Sequence, residues 1–173
     1  MFWVCYNKLM KINWKNIEQK DEGTIESWLS SKSDRRNLCM TQKGWRQTAS
    51  EIQECFKCMD NSEFKNIIGF VNDEPVVALM YGIENIGILN LYNILVSPKQ
   101  RNKGIAKKVL LTLLENDKSL NNNQFYNMVR ASALPENENV LHLFENLAFN
   151  NLGFDGEYVV FEKEITKIDE MVK

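Results

Sequence analysis

The chain has 173 residues, 44% hydrophobic and 25% charged, and no long Pro/Gly/Ser tract or repeat divides it, so a single domain over residues 1–173 with a sizeable core is expected. The net charge of −2 argues against a nucleic-acid partner, since a duplex or transfer RNA demands a net basic face, and it suits a cationic acceptor such as an amine. Met1 to Met10 is apolar but is interrupted by Asn7 and Lys8, is too short to span a bilayer and lacks a small-residue cleavage site, so a cytoplasmic protein with no membrane role is expected.

Residues 2–6 and 11–14 are strand-like. Thr24 is placed to cap a helix that carries Ile25, Trp28 and Leu29 on one face. Thr48-Ala49-Ser50-Glu51 reads as a capping box, and Ile52, Cys55, Phe56 and Met59 follow at i, i+3, i+4 and i+7, which predicts a helix over 49–59. Cysteines stand at 5, 39, 55 and 58. One C-x-x-C with no second pair and a single histidine, His142, makes a poor zinc site, so reduced thiols and no metal are expected.

Residues 65–71 and 75–81 are then rich in Val, Ile and Phe, with Asn72-Asp73 between them as a tight hairpin turn. Residues 86–96 form a third strand, apolar enough to be central and buried on both faces. After a short basic turn comes a helix over 105–116, with Ile105, Val109, Leu110, Leu113 and Leu114 on its apolar face. A strand over 126–132, a helix over 139–151 stopped by Gly153, and a strand over 158–165 complete the order.

The junction at 91–114 carries the most chemistry. A buried strand runs into a basic turn with one glycine that opens directly into an amphipathic helix, and this geometry builds an anion site. The first backbone N–H groups of a helix lack intrahelical partners, and the aligned peptide dipoles favour negative charge there, as on a pyrophosphate. Gly104 lets the backbone approach closely, while Arg101, Lys103, Lys107 and Lys108 add positive field.

Arg101-Asn102-Lys103-Gly104-Ile105-Ala106 resembles the coenzyme A signature of the GNAT N-acetyltransferase superfamily: Arg or Gln, two residues, Gly, one residue, then Gly or Ala. The resemblance implies an α+β fold (an α/β sandwich) with a central mixed, mostly antiparallel sheet of about six to seven strands flanked by about four helices. It also implies acetyl-CoA as cosubstrate, held by residues 101–106. Ile94 and Val96 correspond to the backbone positions that pair with the pantetheine amides like an added strand, and an N–H at Leu95 or Val96 faces the acetyl carbonyl.

Asn137-Glu-Asn-Val-Leu-His-Leu-Phe144-Glu-Asn-Leu-Ala-Phe149 looks like the second signature of that family: an Asn, a Tyr seven residues later on a helix, then Gly-Phe. The resemblance implies that the Asn137 side chain bonds the pantetheine arm. Phe144 stands at the Tyr position, where the family commonly finds its final proton donor, and Ala148-Phe149 replaces Gly-Phe. A register shifted to end at Gly153-Phe154 would put Phe149 at the aromatic position and His142 where Asn belongs, so the first register is preferred. Either way the hydroxyl is missing. Phe144 is then a packing ring that can line the acyl pocket.

An attacking amine must lose a proton, and the departing thiolate must gain one or stay solvated. The family often places a Glu on or near the third strand, but Tyr92 and Asn93 occupy those positions, leaving Glu84 as the nearest carboxylate. A water chain ending on Glu84 or Tyr92 is the expected route for the proton. His142, mid-helix, is expected to have a surface or packing role. The segment with Trp28, Leu29 and Trp45 is loosely similar to aminoglycoside 6′-N-acetyltransferases, although Trp28 and Leu29 also fit a core.

Three functions follow. The first is an acetyl-CoA-dependent N-acetyltransferase acting on a small amine, a peptide amino terminus or a lysine. The second is a catalytically degenerate acyl-CoA-binding sensor or interaction module, favoured by Phe144. The third, a toxin-type enzyme acylating aminoacyl-tRNA, is disfavoured by the acidic balance. A homodimer is compatible with each.

Overall fold

The computed structural model describes residues 11–31, 33–34, 64–85, 87–114 and 126–165. The expected strand over 2–6, the helix over 49–59, Trp45 and all four cysteines lie outside them. β1 (Asn13–Asn16) leads into α1 (Gln19–Trp28), and then β2 (Phe64–Val71), β3 (Glu74–Asn85) and β4 (Gly87–Val96) follow. A short 3-10 turn (Pro98–Gln100) precedes α2 (Ile105–Leu114), and β5 (Tyr126–Ala133), α3 (Glu138–Asn146), β6 (Asn150–Phe154) and β7 (Val159–Glu164) complete the order.

The strands form one seven-stranded sheet in the order β1-β2-β3-β4-β5-β7-β6. Only β4 and β5 are parallel, the crossover between them carrying α2. Asn72 and Asp73 adopt φ of 50° and 63°, the doubly left-handed turn that matches the twist of the β2–β3 hairpin. On one face of the sheet, Leu79, Leu89 and Val129 pack with Val109, Leu110 and Leu113 of α2 and with Phe144 of α3. On the other, Ile68, Ala78 and Leu95 pack with Ile25, Trp28 and Leu29. Trp28 and Leu29 are thus core residues, 5% and 1% exposed.

Two helix boundaries differ from the sequence expectation. α1 starts at Gln19, so Thr24 lies inside the helix rather than capping it. The cap is acidic: the Glu18 N–H donates to Asp21 Oδ2 at 3.0 Å, and Asp21 also pairs with Lys15 at 2.9 Å. α3 ends at Asn146 rather than at residue 151, and residues 150 and 151, expected to close the helix, open strand β6 instead. The helix stops at Ala148, whose φ of 55° is left-handed, well before Gly153.

Candidate active site

The pairing of β4 with β5 runs only from Gly87↔Tyr126 to Leu91↔Ala131, although β4 continues to Val96 and β5 to Ala133. Beyond Leu91 the two strands part, and a cavity of about 690 Å³ occupies the wedge. Its walls are residues 91–96 of β4, residues 131–134 of the β5 strand end, the turn and start of α2, and Asn137, Val140, Leu143 and Phe144 of the α3 segment. A volume in this range suits a small-molecule or cofactor site.

Tyr92 is a β-bulge. Met80 pairs with Asn93 and Tyr81 with Leu91, so Tyr92 is the extra residue on β4. The bulge resets the side-chain alternation, and so Leu89, Leu91, Ile94 and Val96 all pack toward α2 while Leu95 packs beside Trp28. It also sets the backbone. The Ser97 N–H donates to Val76 O at 2.9 Å, and alternation along the antiparallel ladder turns the N–H and C=O of Leu95 to β3 and those of Ile94 and Val96 to the wedge. Of the two amides expected near an acyl oxygen, Val96 therefore faces the cavity. Leu95 lends it only its place in the wall.

At the wide end of the wedge, Asn102 and Gly104 both take left-handed φ, 60° and 79°, which curls the chain into α2. The Lys108 N–H is bonded to Gly104 O at 2.9 Å, so the amides of Ile105, Ala106 and Lys107 precede the helical ladder and point out of its N-terminus. Asn102, Gly104, Ile105, Ala106 and Lys107 all line the cavity. Lys103 is exposed beside them, its Nζ 3.3 Å from Gln100 Oε1. Arg101 lines the cavity as well, its guanidinium bonded to Val96 O and Trp28 O at 3.2 and 3.1 Å.

Asn137 is the N-cap of α3 and makes no side-chain capping bond to it. The Phe144 ring, 3% exposed, stands at the cavity wall with Phe149 and Phe161 behind it at centroid distances of 5.2 and 5.0 Å. Tyr92 lines the cavity with its ring edge-on to Phe64 at 5.3 Å. The backbone at Glu84 lies between Gly82, the partner of Asn90, and Asn85, the partner of Ile88, and so beside the paired start of β4. The Glu84 side chain lies outside the described residues. His142 is exposed on α3, with Nδ1 3.1 Å from Glu145 Oε2.

Tyr81, sealed in the core, has its phenol pushed up to about 12 by burial, so it stays neutral and is no base near pH 7. Tyr158, which sequence reasoning missed, also lines the cavity. The turn before it is fixed by Asp155, whose Oδ1 accepts from the Tyr158 and Glu157 amides at 2.7 and 3.0 Å and whose carboxyl those bonds hold below its ordinary range. Ser31 and Asp34 were missed as well and reach the cavity from beyond α1. The Ser31-x-x-Asp34 capping pattern was the signal that could have marked them. Among the described residues, no cluster of His, Cys, Asp or Glu is placed to hold a metal ion, and no helix is long and apolar enough to cross a membrane.

A mixed sheet splayed at one parallel pair, with a helix start pointing into the gap, defines an acyltransferase fold of the kind the motifs resemble. The chain belongs to the acetyltransferase (GNAT) family, whose model matches residues 18–149. Solved structures agree in fold. An acetyltransferase from Thermus thermophilus superposes with a TM-score of 0.69 at 12% identity, covering 90% of this chain and 97% of that one. Spermidine N-acetyltransferase from Vibrio cholerae, in complex with CoA and spermine, gives 0.66 at 14% identity over 89% and 95% of the two chains. The aminoglycoside acetyltransferase AAC(6')-Ib, in complex with coenzyme A and kanamycin, gives 0.66 at 18% identity over 89% and 95%. No curated protein matches the sequence significantly.

Proposed function

We propose that this protein is an acetyl-CoA-dependent N-acetyltransferase acting on a primary amine by direct attack within a ternary complex. The observation that carries the reading is the overhang of β4 beyond Leu91, which turns the backbone of Ile94 and Val96 into a cavity that ends on the amides of Ile105, Ala106 and Lys107.

Acetyl-CoA supplies an acetyl group already activated as a thioester. The turn at residues 101–106 grips the diphosphate through main-chain amides. Ile94 and the Val96 carbonyl, which can accept a second bond beside that from Arg101, pair with the pantetheine arm as a neighbouring strand would, and the Asn137 side chain, free of capping duty, bonds the same arm. The Val96 amide, fixed before reaction, is aimed to stabilise charge developing on the acyl oxygen. Tyr92, in the cavity wall, and Glu84 are the proposed ends of the water path that takes the proton from the amine. Phe144 has no proton to give, so water or a neighbouring hydroxyl protonates the leaving group.

Two relatives in fold are complexed with spermine and kanamycin, both of which carry several amines. With a net charge of −2 here, a cationic small molecule heads the acceptor classes, ahead of peptide amino termini and lysines. A cytoplasmic location belongs to the same reading. One observation favours a second: Phe144, buried where a donor hydroxyl is expected, suits an acyl-CoA-binding module without rapid chemistry. Release of CoA thiol from acetyl-CoA, measured with spermine, kanamycin and a lysine peptide, separates the two. Amine-dependent release supports the transferase, whereas binding of acetyl-CoA with no release for any amine supports the module.

A further inference from the structure

Arg101 stands first in the basic turn, where its charge would be expected to serve the phosphates. Its guanidinium is committed elsewhere. Nε donates to Val96 O at 3.2 Å, one terminal nitrogen donates to Trp28 O at 3.1 Å, and the other lies 2.7 Å from Asp34 Oδ1. Val96 is the last residue of β4 and Trp28 the last of α1, so one planar group joins two element ends and a third segment.

Asp34 is itself held in place. Its Oδ2 accepts from the Ser31 N–H at 3.2 Å, and its own N–H donates to Ser31 Oγ at 3.0 Å. The Asp34 side chain is only 14% exposed, and Ser31 and Asp34 line the same cavity as Gly104 and Ile94. A guanidinium offers rigid donors in one plane and reaches three partners together, which a lysine ammonium on a flexible stem does not reproduce.

We propose that Arg101 is a positioning residue that couples the end of α1 and the Ser31–Asp34 pair, which lines the cleft, to the turn that holds the CoA diphosphate. The coupling rests on the CoA reading above. The backbone of Arg101 is continuous with Asn102 and Gly104, whose left-handed φ values shape the turn. A ligand that fixes the turn amides restricts Arg101 and, through its guanidinium, the Asp34 carboxylate and the end of α1. Linkage makes the effect reciprocal, so an occupant held at residues 31–34 tightens CoA to the same degree.

Hydrogen exchange on the full chain, with and without millimolar CoA, tests this in the wild type, Asp34→Asn and Arg101→Lys. Asp34→Asn removes the charge while keeping the shape and an oxygen for Ser31, so it decides the matter even if Arg101→Lys folds poorly. In the wild type, CoA should slow exchange at residues 101–107 and also, by about fivefold or more, at residues 28–34. In Asp34→Asn the first protection should persist and the second disappear. Protection of 101–107 without any at 28–34 in the wild type, or equal protection of 28–34 in Asp34→Asn, would overturn the coupling alone. Absence of protection at 101–107 in the wild type would overturn the CoA reading, and the coupling with it.

Discussion

Phe149 is joined to Phe144 twice: its N–H donates to the Phe144 carbonyl at 3.0 Å, and the two rings lie 5.2 Å apart. With the Ala148 N–H on Glu145 O at 2.9 Å, this is a Schellman ending, in which a left-handed residue closes the helix and an apolar contact clamps it. The Lys163 Nζ adds a bond to Leu147 O. The clamp fixes the ring of Phe144 at the cavity wall.

Ala148 holds φ of 55° and is exposed, so its methyl carries a conformational cost with no burial to offset it. Ala148→Gly should therefore raise stability by about 0.5–1 kcal/mol, the left-handed strain relieved less the added freedom of the unfolded chain. Urea midpoints of the two proteins check this. A lower midpoint for the glycine variant would mean that the left-handed turn is not what ends α3.

That ending also shows where the sequence misleads. Ala148 is no conventional stop, so an apolar pattern running past it reads as one helix to residue 151, and β6 is lost. The junction from β4 to α2 was legible because three local signals coincide: an apolar strand, a turn with Gly104, and a helical stripe from Ile105 to Leu113. The Asn72-Asp73 hairpin was legible for the same reason. The Tyr92 bulge is set by the pairing of Met80 with Asn93 and of Tyr81 with Leu91, which no local pattern encodes, and the Arg101–Asp34 tie spans distant segments. Thr24 looked like a cap because its type is common at that position, whereas the acidic pair Glu18 and Asp21 does the capping.

Gly69 sits where strands meet tightly. A methyl there would lie 2.5 Å from Ile12 Cγ2 and 2.9 Å from both Trp14 Cζ3 and Val77 Cγ1. Gly69→Ala should cost about 1–3 kcal/mol, because three neighbours cannot all yield. Thermal unfolding reads the loss. An unchanged midpoint would show that the side chains of Ile12, Trp14 and Val77 do not close over Gly69 as described.

Asp21 is 8% exposed, and although burial alone would raise its carboxyl, the bond to Lys15 and the Glu18 amide outweigh it and leave it below its ordinary value of 3.8. A carboxyl depressed in the folded state contributes stability above its unfolded value and loses it as pH falls through the folded one. Asp21→Asn should thus be less stable than the wild type above pH ~5, by about 1–2 kcal/mol given a partly exposed Lys15, and the gap should close in more acidic solution. Urea titrations across that range measure it. A gap that stays constant into acid would remove the ion pair from the folded state.

Gly104 has φ of 79°, which an alanine adopts only at a cost of about 1–2 kcal/mol. Gly104→Ala relaxes the free turn, and binding must restore it, so the CoA dissociation constant should rise about tenfold. Stability should fall by no more than that strain, since the exposed turn can relax. Equal affinity in both proteins would place the diphosphate away from this turn.

Calorimetric titration of the intact protein with CoA and with acetyl-CoA decides whether the wedge between β4 and β5 is a coenzyme site. Saturable heat with both ligands, weakened by Gly104→Ala, is the expected result. No heat from either ligand at millimolar concentration would contradict it and leave the cavity without its assigned occupant.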